Sequence, residues 1–496
     1  MKRIDQLDKW LEKHNEKQSM CLYEKYLKIK DWDMNIFDKK ISEMLLESGL
    51  LKWVENLLSQ IEDPIEQRRC EILRNMIIRA KVIYDERVYK FTNNVQDEVI
   101  KFKPEIDGQM LDRSTLREIL RKEKNREIRK KAYLADNPLG KRIEAKGKEL
   151  INVRNELSRK VGFEDFPSLS LSLLGLSKES LLQIFEQIKN ATENTYRNFI
   201  EQCKADHGLQ DIMPWDIVYF VDRYSTPPQQ YFPKARLITS LQKTLNSFGK
   251  KFEDLNIKIK YADIPYGGLC FGIRIPDDIR ILINPMDGYN WYETIFHEFG
   301  HAIHSASITV RSYLLKTSEG PFSEGMAEIW SGFLLYPEWL EEFAQMPTNE
   351  IERLIKSCKI KKIYGLRNLI KQSVFEIRAH ENPEQDLNKL WDNLTKEYLL
   401  TSCAASCGSE GAIWSSSYFI LTYPMYIQNY LLAAMIREQT HAFMRRQFSK
   451  VIGDPQVLDF LIDHYYSEGR LVPWTHKIEK ATQKPLETDT LIQSLQ

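Results

Sequence analysis

Apolar positions recur at helical spacing through the first two hundred residues. Leu46, Leu50, Leu51, Val54, Leu57 and Leu58 fall at intervals of three and four, as do Leu150, Ile151, Val153 and Leu157, with charged residues on the intervening faces. From Ile4 to about Ile200 this predicts successive long helices. The texture changes near residues 255 to 286. Asn256 to Tyr261 alternates polar and apolar residues, Ile279 to Asn284 is a second such run, and Cys270 to Arg274 offers a third after the turn Pro265-Tyr266-Gly267-Gly268. A small sheet is expected there, followed by helix from Pro285 onwards. The fold class is therefore mainly α. Residues 1–250 read as a helical N-terminal lobe and 251–496 as a region holding the sheet and C-terminal helices, with the lobes intermixed.

Composition narrows this little. At 496 residues the chain can bury a sizeable core, and 43% hydrophobic with 28% charged residues is ordinary for a soluble globular protein. Lys+Arg and Asp+Glu both number 70, so no net field recruits nucleic acid or an anionic membrane. The opening residues, Met1 to Gln6, run into charges rather than an apolar signal segment. The most apolar long stretch, Tyr418 to Ile436, carries Thr422, Pro424, Gln428 and Asn429, which are costly in lipid, and reads as a buried helix. Seven scattered cysteines point to reduced thiols in the cytoplasm, with Cys403 and Cys407 as ordinary thiols. The basic run Arg117 to Lys131 contains interspersed Glu and reads as a solvated helix face.

The chemistry concentrates in His297-Glu298-Phe299-Gly300-His301. Residues four apart share a helix face, so two imidazoles can address one ion while Glu298 flanks a water on it. The ion would lower the pKa of that water and the carboxylate would take its proton. Ile295, Phe296, Phe299 and Ile303 place these polar groups in an apolar helix, where a metal would satisfy them. Gly300 costs helix stability and suggests close packing against another element. A catalytic zinc needs a third ligand, for which Glu293, His304, Glu319, Glu324 and Glu328 are at hand. The segment Phe322 to Trp330, opened by Pro321 and Ser323, reads as a second helix that can bring Glu324 to the metal, with Glu328 one turn later orienting a histidine.

These residues resemble the clan of zinc peptidases that includes thimet oligopeptidase, oligoendopeptidase F and angiotensin-converting enzyme. His297 to His304 is similar to the oligoendopeptidase version and Gly320 to Glu328 to the converting enzyme's third-ligand helix. Arg154 to Phe163, Pro214-Trp215-Asp216 and Gly469 to Trp474 resemble further landmarks, so the likeness spans roughly residues 110 to 485. It implies a two-lobed helical metallopeptidase with a deep central cleft, the small sheet beside the zinc helix, and one Zn2+ held by His297, His301 and Glu324. It implies, too, that the strand with Gly267, Gly268 and Cys270 hydrogen-bonds an extended peptide. Trp414 to Tyr430 resembles the clan's tyrosine-rich segment, which makes Tyr426 and then Tyr423, three apart on one helical face, the oxyanion donors. A histidine that relatives place before these tyrosines is missing. The expected activity is hydrolysis of short unstructured peptides. The alternatives are a dipeptidyl carboxypeptidase or carboxypeptidase, for which Arg470 or Lys371 would hold the terminal carboxylate, and a non-catalytic peptide-binding protein.

Overall fold

The computed structural model describes residues 1–225, 227–402, 411 and 413–496; Cys403 and Cys407 lie outside the described residues. Helix dominates, with two small sheets: the ladder β1 (Glu105–Ile106) with β2 (Gln109–Met110), and a three-stranded sheet of β3 (Ile257–Tyr261), β4 (Gly268–Arg274) and β5 (Asp278–Ile283). The fold is mainly α, as the periodicity predicts. None of the helices among the described residues is long and apolar enough to cross a membrane.

The chain forms two compact units built from interleaved stretches. The first comprises Met1–Ala80, Pro227–Ile355 and Leu432–Ser494; the second comprises Lys81–Thr226, Lys356–Leu431 and the last two residues. A single cut near residue 250 does not separate them, because the N-terminal helix Lys2–Tyr26 belongs with the sheet.

In the first unit β5 is central, parallel to β3 and antiparallel to β4, so β4 is an edge strand. Alternation sorts its side chains. Phe271 and Ile273 join Tyr23 of the N-terminal helix, Ile264 and Leu282 in one apolar cluster. Gly268 and Cys270 face the opposite way, towards the helix Tyr289–Ala306 that carries the His297 motif. A Cβ on Gly268 would stand 2.6 Å from Glu298 Cγ, so glycine here lets strand and helix close together. The Asn284 N–H donates to the Gly267 carbonyl, which turns the main-chain groups of residues 267, 269 and 271 to β5 and those of 268, 270 and 272 to the edge away from it, where Asn15 Nδ2 donates to the Gly272 carbonyl at 3.3 Å.

The second unit explains the basic run 117 to 131. Arg129 Nη2 and Arg126 Nε donate to the two oxygens of the buried Asp216, at 2.6 and 2.9 Å, and the Met213 N–H reaches the same carboxylate. The run is therefore not only a solvated face: two of its arginines fix the start of the helix Pro214–Ser225, because a buried carboxylate must be paired. Arg154, also buried, donates to the Leu421 carbonyl, and Asn155 donates to the His380 carbonyl.

Candidate metal centre

The motif helix Tyr289–Ala306 packs against the helix Gly320–Gly332, both in the first unit. Gly300 makes this possible. A Cβ there would lie 2.6 Å from Ala327 Cα and 2.7 Å from the Met326 carbonyl oxygen, so the two backbones touch, as the cost of a mid-helix glycine suggests. Pro321 suits the first turn of the second helix, where its missing N–H is not needed.

That contact brings His297, His301 and Glu324 together, with one ligand atom from each lying within 4.8 Å of the others. Glu324 Oε2 is 3.3 Å from His297 Nε2 and 3.7 Å from His301 Nε2. Ligands about 2.0–2.1 Å from one tetrahedral centre are roughly 3.3 Å apart, so the donor set fits a zinc ion. Ser323 Oγ lies 3.3 Å from His301 Nδ1, and Glu328 Oε1 lies 3.7 Å from His297 Nδ1. Each ring thus has a polar neighbour behind its ligand nitrogen.

The electrostatics favour positive charge at this point. Burial pulls the His297 imidazolium down, but the Glu324 and Glu328 carboxylates outweigh it and raise the ring to about 10. Burial and the charge on His297 press His301 down to about 4. Burial, then the nearby Glu324 charge, pushes Glu298 up to about 7, against the pull of His297 and a hydrogen bond from the Cys270 N–H. A carboxyl poised near neutrality, beside the donor set and on the face of the edge strand, is suited to carry a proton in either direction.

Glu319 and His304 have other duties. Glu319 accepts from Arg68 Nη2 at 3.1 Å and from Arg470 Nε at 3.0 Å. His304 is buried against Phe322 and Tyr466. Sequence reasoning missed Arg437, whose Nη1 donates to Glu328 Oε2 at 2.6 Å.

Tyr423 and Tyr426 lie in the second unit, and they do not share a helical face. The helix Phe419–Thr422 stops at Tyr423 (φ −128°, ψ 62°), Met425 is left-handed at φ +52°, and helix resumes at Gln428. Pro424 is the cause: it supplies no N–H and pushes the residue before it out of the α region. The stretch Tyr418 to Ile436 is therefore two helices and a turn. Tyr423 is 51% exposed and stacks on Phe419, while Tyr426 packs edge-on to Tyr430. The turn is held from within its own unit, since Glu376 Oε1 accepts from the Met425 N–H at 2.8 Å and Arg154 binds the Leu421 carbonyl at 2.6 Å.

Residues 119–260 match Peptidase family M3, a stretch that ends before the His297 motif. Among solved structures, an M32 carboxypeptidase from Deinococcus radiodurans matches with a TM-score of 0.69 at 13% identity, covering 100% of this chain and 97% of that one. At that identity the likeness speaks for the fold. No curated protein matches the chain. The family match covers less than a third of the chain, and the structural match shows a shared fold. In this chain the three-residue donor set stands on two adjacent helices, and the edge strand β4 lies against the helix that supplies two of them.

Proposed function

We propose that this protein is a zinc metallopeptidase, an oligopeptidase that cleaves short unstructured peptides in the cytoplasm, using one zinc ion held by His297, His301 and Glu324. The observation that carries the reading is the convergence of those three ligand atoms beside Glu298. Zinc bound there would supply Lewis-acid chemistry, polarising a water and the scissile carbonyl. Glu298 takes the proton of the attacking water and delivers it to the departing amine, which its near-neutral pKa suits. The outward main-chain groups of Gly268 and the carbonyl of Cys270, whose N–H is given to Glu298, are placed to pair with an extended peptide, giving affinity independent of side chains. The resemblance assigns the oxyanion donor to Tyr426.

The M32 carboxypeptidase likeness favours a second reading, release of C-terminal residues. That chemistry needs a fixed cation for the substrate's terminal carboxylate. Arg470 is poorly placed to serve, because it is committed to Glu319 and to Thr317 Oγ1 at 3.1 Å. Lys371 is buried over the Trp391 ring, 3.7 Å from its centroid, and burial lowers its amine to about 7. Digestion of one peptide with either a free or an amidated C-terminus separates the two readings. Equal cleavage of both forms is expected of an oligopeptidase; loss of cleavage on amidation would establish the carboxypeptidase instead.

A further inference from the structure

Glu328 divides its two oxygens. Oε1 faces His297 Nδ1 at 3.7 Å, and Oε2 accepts from Arg437 Nη1 at 2.6 Å. Arg437 sits on the helix Gln428–Gln447 directly after the buried apolar run Leu432 to Ile436. A guanidinium in such a place must be paired, and its Nε donates to Glu438 Oε1 at 2.9 Å, so the fork spans two carboxylates.

The neighbouring helix is built to receive it. Gly325 and Gly332 are seven apart, two turns along one face of Gly320–Gly332. A Cβ on Gly325 would stand 2.9 Å from Ile436 Cδ1, and one on Gly332 would stand 3.0 Å from Arg437 Cδ and 2.5 Å from His441 Nε2. His441, four residues after Arg437, is within hydrogen-bond distance of the Ile329 carbonyl at 3.0 Å and of Tyr336 Oη at 2.8 Å. The arginine stem and the imidazole thus occupy space that Gly332 leaves open, as Ile436 does at Gly325, and the guanidinium has little freedom beyond reaching Glu328.

We propose that Arg437 is a positioning residue of the metal centre: it grips one oxygen of Glu328 and aims the other at His297 Nδ1, fixing the ring that presents Nε2 to the ion. The inference rests on the zinc-site reading above. A lysine cannot reproduce it, because a single ammonium lacks the fork that spans Glu328 and Glu438.

The test is the zinc dissociation constant of the full chain, read by competition with a chromogenic chelator. Arg437→Gln and Glu328→Gln are each expected to weaken zinc about 10- to 100-fold, the range for partners behind a ligand, and the double variant to be no weaker than either one. Glu438→Gln, which removes a charge partner off the path to His297, is expected to stay within about threefold of the parent. In 15N spectra of zinc-loaded protein, the His297 Nδ1 resonance should shift in Arg437→Gln and not in Glu438→Gln. Zinc affinity in Arg437→Gln within about threefold of the parent, or additive losses in the double variant, would overturn the proposal. If Arg437→Gln does not fold, Arg437→Lys decides: a several-fold weaker site supports the inference and an unchanged one refutes it. A parent chain that binds no zinc at all removes the site reading and this inference together.

Discussion

His297 and His301 face the same carboxylates yet titrate in opposite directions, His297 raised to about 10 and His301 lowered to about 4. A ligating histidine must be neutral, so zinc uptake has to displace the His297 proton. Calorimetry in buffers of different ionisation enthalpy should show about one proton released per zinc near neutral pH, and zinc affinity should climb with pH towards about 10. At Glu298 the expectation is a split: Glu298→Gln should lower kcat about 10³-fold while zinc still binds at one equivalent. The motif itself was legible because its geometry is local, four residues apart on one helix. Glu324 was within reach because Pro321 and Ser323 mark the start of its helix. Arg437 left no such trace: its partner Glu328 is 109 residues away, and an arginine closing an apolar run looks like a helix end.

Between elements, glycine sets the distances. Gly300→Ala would drive a Cβ into the backbone of Ala327, and because backbone cannot swing aside as a side chain does, a loss of about 2 kcal/mol is expected, with weaker zinc retention. Chemical denaturation of metal-free and zinc-loaded protein checks both. The three strands were legible from alternation, and β3, β4 and β5 fall within a residue or two of the expected runs. The tyrosine segment was not, since its apolar character masked the effect of Pro424 and the left-handed Met425. The buried groups Arg154 and Glu376 hold that turn, so they belong with Tyr426 in any account of it. Tyr426→Phe should reduce kcat about 10²-fold with zinc binding intact. Tyr423→Phe should do much less, because that ring is half exposed and stacked on Phe419.

At the scale of the whole molecule, the lobes were expected to intermix, but which stretch enters which unit had no signal in the sequence, because long amphipathic helices look alike whichever core they enter. Burial also gives the chain a common sensitivity to acid. His304, His380 and His441 are lowered to about 3, 4 and 3, chiefly by burial. Unfolded histidines take up protons near pH 6.5, so below that pH the unfolded state binds more protons than the folded one. Their contribution is complete above about pH 6.5 and falls as the pH drops towards 3–4, by about 1.4 kcal/mol per unit for each histidine. Urea midpoints measured from pH 7 to 4 should fall accordingly. The central claim, a single zinc ion at His297, His301 and Glu324 that serves peptide hydrolysis, is tested most directly by titrating zinc into the metal-stripped chain while following cleavage of an internally quenched peptide. Activity that rises linearly and levels at one equivalent, and that stays about 10³-fold lower throughout the same titration of Glu298→Gln, is the predicted result. Cleavage that persists without metal, or that stays within about tenfold of the parent in Glu298→Gln, would contradict it.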